Sequence, residues 1–404
     1  MGGSDRESTA EAGSGAGWSS ADVQRAHAAD GIPPWAVGNP LWRLKLRLQF
    51  TGWLQYLGPL GPALVLLVVA GVGALIGVAP LLLVALPLGL GLLLLLIVAF
   101  DLVTVRLDVR PREPHPPRLD DLDVFDVMRA RRSCRSFQRR TLTDEDRSAV
   151  LTWAEEHTHP QALLGAAPIR LEYLALPLTV WPVVGAHEFL VAVAPRDYDR
   201  VAVIDVGRSL QKVVTAATRA GISTCWIGPG ADQSSVIDAL GDRFDPDHDH
   251  VICVCAIGYR SRFVPLLIRA MGAKMHRRLP LQQLFFSDGT LTRPVDVTAP
   301  PYSELGRCYE VCQWSPSSYN GQTTRAVLHA DTLVEQVDFV TATTSRYYAP
   351  IALGIWLANW EAGAQALGVQ GHTTALRDQH TTTGPDTDPP RHGATWTRLH
   401  TTTP

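Results

Sequence analysis

The chain has 404 residues, 46% of them hydrophobic, and a formal net charge of −3 at pH 7. That length accommodates two or three domains, or one large domain with appendages, and the near-balanced charge leaves no electrostatic footprint for nucleic acid, which is excluded as a partner. Six scattered cysteines (Cys134, Cys225, Cys253, Cys255, Cys308 and Cys312) include no CxxC pair, which points to buried reduced thiols instead of disulfides or a metal centre.

Residues 1–31 are rich in Gly, Ser, Ala and Asp with little hydrophobic pattern and read as a disordered tail, followed by a basic and aromatic segment up to residue 56. No charged region leads straight into an apolar core at the terminus, so a cleaved signal peptide is not expected. Residues 57–100 then contain no charged residue. A membrane span takes about 20 apolar residues, so this run predicts two helices, near 59–78 and 81–100, with the break at Gly77 and Pro80. Basic residues lie on both sides, Arg43, Lys45 and Arg47 before and Arg106, Arg110 and Arg112 after. The pattern predicts a hairpin in the cell membrane with both termini and the domain after it cytoplasmic, lipid being its partner. Trp42, Trp53 and Tyr56 suit the headgroup level. A buried core helix of a soluble protein would normally show a polar face, which this run lacks.

"RPREPHPPR" (110–118) ends a linker, 101–118, and reads as a stiff spacer holding the rest of the chain off the membrane. From 119 to 371, helix-period and strand-like segments alternate, predicting an α+β body. "DVFDVMRA", "DEDRSAVLTWAEEH" and "VGRSLQKVVTAATRAG" carry helical periodicity; "IRLEYLAL", "HEFLVAVAP" and "VICVCAIGY" read as strands. "DPDHDH" (Asp245 to His250) lies between two such elements and reads as a polar turn, since no partner motif completes a metal sphere. Residues 372–404, with "HTTTGPDTDPPRHG", show almost no apolar pattern and are expected to be disordered.

Two features of the body stand out. "ARRSCRSF" (130–137) places Arg131, Arg132 and Arg135 within five positions after a helical segment. A solvated, charged helix end would account for them in isolation. If the helix continues, Arg131 and Arg135 share a face. The second feature is a repeat: "VGRSLQKVVTAATRAGI" (206–222) and "LGIWLANWEAGAQALGV" (353–369) align with Gly207 on Gly354, Leu210 on Leu357, Ala217 on Ala364 and Gly221 on Gly368, all 147 residues apart. An internal duplication accounts for the match, with halves near 119–265 and 266–371.

With "SPSSYNGQ" (315–322) and "DVGRSLQKVVTAATRAGISTCWIG" (205–228), the arginine stretch resembles the three hallmark segments of the nitroreductase family. The resemblance implies a mixed β-sheet flanked by helices and a flavin mononucleotide (FMN) site between two subunits, one giving Arg-Arg-Ser-x-Arg and the other Pro-Ser-x-x-Asn-x-Gln. Here both stretches occur once, in different halves, which resembles the single-chain branch in which a fused pair mimics the dimer. It implies one site per chain and no obligatory partner subunit.

By the family pattern, Arg131 faces the phosphate, Arg132 and Ser133 the ribityl chain, and Arg135 the pyrimidine edge. Pro316, Ser317, Ser318, Asn320 and Gln322 approach from the other half, Ile227 or Gly228 lies near the reactive ring nitrogen, and Arg260 or Arg262 is a further phosphate ligand. The chemistry is consistent: arginine forks suit a phosphate dianion, and an amide both donates and accepts at a flavin edge. The implied activity is hydride transfer from NADH or NADPH through flavin to a nitroaromatic, quinone or similar small acceptor. No side chain is expected as a catalytic acid or base, and no metal. Alternatives are a low-turnover protein storing or sensing FMN at the membrane, with "LALPLTVWPVVGAHEF" (174–189) as a lid, and a biosynthetic dehydrogenase. Two departures from the family are expected to matter: Thr323 replaces a proline after Gln322, and no final strand is evident after "GVQG".

Overall fold

The computed structural model describes residues 39–399 except 50, 229–230, 275–276, 344 and 377–390. The predicted N-terminal tail, the side chains of Trp42, Arg43 and Lys45, and much of the predicted C-terminal tail lie outside the described residues. A short helix α1 (Pro40–Gln49) leads to α2 (Leu54–Ile76). Gly77 ends α2 with φ of 75°, and its N–H bonds to Gly73 O at 3.0 Å, a left-handed cap that only glycine adopts without strain. After Pro80 a π-helical turn (Leu81–Ala85) runs into α3 (Leu86–Asp101) and on through a second such turn to Arg106. The helices approach closely because their contact positions lack side chains: a Cβ on Gly73 would lie 2.5 Å from Leu83 O. Most of the rest of the pair is bare hydrocarbon, with Leu75 and Leu81 among its exposed residues. Leu54–Ile76 and Leu81–Arg106 are both long and apolar enough to cross a membrane.

The proline-rich stretch is not a free spacer. Glu113 is buried and accepts from Ser261 Oγ at 2.8 Å and Arg262 N at 2.6 Å, while Gln138 Nε2 donates to Pro114 O at 2.9 Å. A polyproline backbone makes no hydrogen bonds of its own, and here the body supplies them, strapping the segment to its surface.

The body begins with α4 (Val124–Ala130) and α5 (Asp144–Thr158), each capped by a side chain, Asp123 or Thr143, that accepts from the N–H three residues on. Next come β1 (Arg170–Leu174), β2 (Glu188–Pro195), α6 (Arg200–Arg219), β3 (Ser223–Ile227), α7 (Gln233–Leu240) and β4 (Asp249–Gly258). The second half contributes α8 (Leu266–Lys274), β5 (Phe285–Phe286), α9 (Gly306–Gln313), β6 (Thr324–Ala330), β7 (Val334–Thr341), α10 (Tyr348–Ala366), β8 (Gly371–Ala375) and β9 (Arg391–Arg398). The turn at Asp245 is as expected, Asp247 N and His248 Nδ1 both bonding to its carboxylate. All six cysteines are buried free thiols.

The strand orders make the duplication visible. One sheet runs β1-β2-β4-β3, the other β5-β6-β7-β9-β8, so the second repeats the first with one edge strand added. Residues 371–375 and 391–398 are therefore strands, contrary to the disordered tail expected from 372. β9 pairs with both β7 and β8 and buries Ala394 and Trp396. The final element is present, beyond a polar connection that breaks the pattern.

The halves meet through α6 and α10. Cβ atoms added at Gly207 and Gly354 would lie 2.3 Å from Ile351 O and 2.0 Å from Ile204 O. Ile204 and Ile351 are themselves 147 apart, so the contact is reciprocal about a pseudo-twofold, as an isologous dimer interface requires. Gly354→Ala should cost about 3 kcal/mol, because backbone blocks both sides of the crossing. Gly289, with open space around it, should tolerate alanine within about 0.5 kcal/mol. Thermal unfolding of the purified variants checks the contrast.

Candidate functional site

Between the halves lies a cavity of about 500 Å³. Its first wall is the arginine stretch, but not as a helix. α4 ends at Ala130, and Arg131 turns out with φ −55° and ψ 127°. The chain then runs extended beside β3: Cys134 N donates to Thr224 O at 2.8 Å, and Phe137 N to Val184 O at 2.9 Å. Those carbonyls take the N–H groups a continuing helix would have used. Side chains consequently alternate with period two. Arg131, Ser133 and Arg135 line the cavity together, whereas a helix would pair only Arg131 with Arg135.

Arg131 is only 6% exposed, and its Nη1 has no hydrogen-bond partner. Among the described residues it forms no ion pair. Burial, with Arg278 and Arg132 nearby, lowers its pKa to about 10. Arg278 also lines the cavity, and burial with the Arg132 charge lowers its pKa too. The sequence reading missed Arg278. The signal was the basic pair Arg277-Arg278, near the start of the second half.

The opposite wall carries Pro316, Ser317, Ser318 and Asn320. This loop holds three of the chain's non-glycine residues with positive φ: Tyr319 at 49°, Asn320 at 59° and Gln322 at 48°. Such backbone persists only where surroundings over-determine it, and they do. Asn320 Nδ2 donates to Arg277 O at 2.7 Å, and its Oδ1 accepts from Arg278 Nη1. Gln322 Oε1 accepts from Leu279 N at 2.8 Å, and its Nε2 donates to Arg277 O at 3.2 Å. Both amides thus clamp the loop to residues 277–279 and aim Arg278. Thr323, where a proline was expected, continues the path into β6, its carbonyl accepting from Ala342 N at 2.8 Å.

Ile227 and Gly228, at the end of β3, line the cavity. Arg132, Gln322 and Arg260 do not. Arg132 packs over the Trp314 ring, 5.3 Å from its centroid, with Arg278 at 5.4 Å from the same centroid. Arg260 is exposed and pairs through its backbone with Phe137, while Arg262 N is committed to Glu113. The segment considered as a lid is fixed wall: Val180 bridges Ala231, Val184 bridges Ser136, and Trp181 and Pro182 face the cavity.

The pseudo-symmetric position is filled instead. Shifting Ala352, Ile355 and Trp226 of the cavity wall by 147 residues gives Asp205, Arg208 and Thr373. Asp205 accepts from Leu164 N and Gly165 N at 2.9 Å each, tying down the loop where a second Pro-Ser motif would stand. Glu361 accepts from Arg208 Nε at 2.9 Å and Thr373 Oγ1 at 2.7 Å and pairs with Lys212 at 3.0 Å. Apolar wall on one side has become a closed ionic network on the other.

Guanidinium groups from the two halves, Arg131 and Arg278, thus come together on one cavity wall. Residues 123–364 match the family model described as "Putative TM nitroreductase", and the chain belongs to the nitroreductase family. Similar solved structures include a putative nitroreductase from Thermotoga maritima, at 13% identity and TM-score 0.42, covering 72% of this chain and 97% of that one. A nitroreductase with bound FMN from Bacteroides fragilis aligns at 17% identity and TM-score 0.29 over 36% of this chain and 92% of its own. A putative nitroreductase in complex with FMN from Desulfovibrio desulfuricans aligns at 19% identity and TM-score 0.29, over 39% and 98%. No curated protein matches the chain.

Glu361→Ala should destabilise the fold by roughly 3 kcal/mol, since it strands two partly buried cations. A thermal-unfolding shift no larger than that of a surface substitution would contradict the network's role.

Proposed function

We infer that the protein is a membrane-anchored, FMN-dependent oxidoreductase. Hydride would come from NADH or NADPH, and the acceptor would be a nitroaromatic, a quinone or a similar small compound. The observation that carries this reading is Arg131, a buried guanidinium with an unpartnered Nη1 and Arg278 beside it, in a chain of this family. FMN, when bound, supplies reversible two-electron transfer.

Arg131 and Arg278 would hold its phosphate through charge-assisted bonds, offsetting the burial that, more than the neighbouring charges, now lowers the pKa of each. Ser133, Ser317 and Ser318 offer hydroxyl groups for the ribityl chain. Arg135 supplies positive charge where reduced flavin would carry negative charge, which favours reduction. Ile227, Gly228, Tyr348 and Ile351 line the cavity and would face the apolar part. No acid or base from the protein is required. Two apolar spans flanked by basic residues support anchoring in the cell membrane, with the flavin domain and both termini cytoplasmic.

Arg131→Ala should weaken FMN binding by about ten- to a hundred-fold, the effect of losing a hydrogen bond to a charged group. Unchanged flavin content would return the arginine stretch to an ordinary structural role. Wild-type protein should titrate to one FMN per chain, and a second equivalent would contradict the closed pseudo-symmetric position. The chain should sediment with membranes and stay there in high salt, which screens charges but not apolar burial. Steady-state turnover with NADH or NADPH plus a model nitro compound tests the activity. Bound FMN without turnover would favour storage or sensing.

A further inference from the structure

The cavity lining is of two kinds. Arg131, Arg278 and Asn320 form one group, with Arg278 bonded to Asn320, while Leu54, Leu267, Met271, Trp181 and Pro182 are apolar and Gln49 is polar. Leu54 is the first residue of α2, so one wall of a soluble-domain cavity begins where a membrane span begins. Leu267 and Met271 belong to α8, and that helix is fastened to the hairpin. Asp101, the last residue of α3, accepts from Leu266 N at 2.9 Å. A Cβ on Gly58 would meet Leu267 Cδ2 at 2.8 Å, and the rings of Phe100 and Phe263 lie 6.2 Å apart.

The water–lipid boundary is marked at the same level. Arg106 lies over the Trp53 ring, 5.1 Å from its centroid, the pairing of an aromatic and a cation that suits the headgroup layer. Trp53 directly precedes Leu54. Leu54, on the cavity wall, therefore lies at the level where that pair would meet the headgroups. α8 also reaches the arginine stretch, since a Cβ on Gly272 would lie 3.7 Å from Arg135 Nη1.

We propose that the end bounded by Leu54, Leu267 and Met271 is an entrance from the bilayer, admitting a tailed quinone head first. The apolar tail stays between α8 and the foot of the hairpin. A polar acceptor from the cytoplasm would gain nothing from this wall, whereas an isoprenoid tail stays in apolar surroundings throughout. The proposal rests on the oxidoreductase reading and specifies its acceptor.

The full chain in phospholipid vesicles is exposed to a benzoquinone bearing a photoreactive group on the first unit of an isoprenoid tail. Labelling should fall on peptides containing Leu54 or Leu267–Met271 and be displaced by unlabelled tailed quinone, with or without FMN loaded. In turnover, a tailed quinone should show a KM at least about ten-fold below its tail-less counterpart, the effect of burying roughly two methylene groups. Leu267→Arg and the milder Met271→Ser should shrink that ratio, with flavin content read separately as a check on folding. Labelling confined to the lipid-facing surfaces of α2 and α3, displacement by any phospholipid, or equal KM values would overturn the entrance. A protein that binds FMN and turns over soluble acceptors without tail preference defeats this proposal alone. Absence of both FMN binding and turnover defeats the oxidoreductase reading itself.

Discussion

Everything in the body depends on how closely α6 and α10 cross. The backbone carbonyls of Ile204 and Ile351 each occupy the space that a side chain on Gly354 or Gly207 would need. That approach sets the distance between the halves, and hence the size of the gap left between them. The crossing also reaches the site through bonds. Gln211 Nε2 on α6 donates to Asn359 Oδ1 on α10 at 3.3 Å, and Asn359 Nδ2 donates to Ser315 Oγ at 2.7 Å. Ser315 precedes the loop whose amides clamp Arg278. A buried, hydrogen-bonded polar chain of this kind fixes one arrangement among many apolar alternatives.

From a near-symmetric scaffold the chain builds an asymmetric result. The same two helices present Ala352 and Ile355 to an open cavity, and Asp205 and Arg208 to a closed network. Glu361 shows why the closed side is stable: burial opposes its charge, yet Arg208 and Lys212 hold its carboxyl below the usual range. On the open side cations converge with no carboxylate among the described residues that line the cavity, a state that burial makes costly. The hairpin adds a second asymmetry, because α8 and Leu54 bring it to the open side.

Much of this was legible in the residues, and the failures have physical causes. The arginine stretch stands out by type and spacing, the Pro-Ser loop through its resemblance to a family segment. The geometry of Arg131 was not, because helical periodicity was carried past Ala130, while β3 offers carbonyls that draw the backbone out straight. Arg278 was overlooked because its role comes from Asn320 and Trp314, contacts that sequence does not display. β8 and β9 were missed because threonine, histidine and glycine dilute their apolar alternation, leaving Ala394 and Trp396 as its inward trace. The proline-rich strap was read by composition as a spacer, although Glu113 within it carried the capacity to bond to the body. At Thr323 the hydrogen bond from Ala342 N sets the backbone path into β6.

The central claim is that Arg131 from one half and Arg278 from the other grip a single phosphate. Calorimetric titration with FMN and with riboflavin, which lacks the phosphate, isolates that grip in wild type, Arg131→Ala, Arg278→Ala and the double variant. The wild type should prefer FMN by at least about a hundred-fold, as two charge-assisted contacts imply. Each single change should remove most of that preference, with riboflavin affinity little altered and the double variant not much worse than either. A preference for FMN that survives both substitutions would contradict the account.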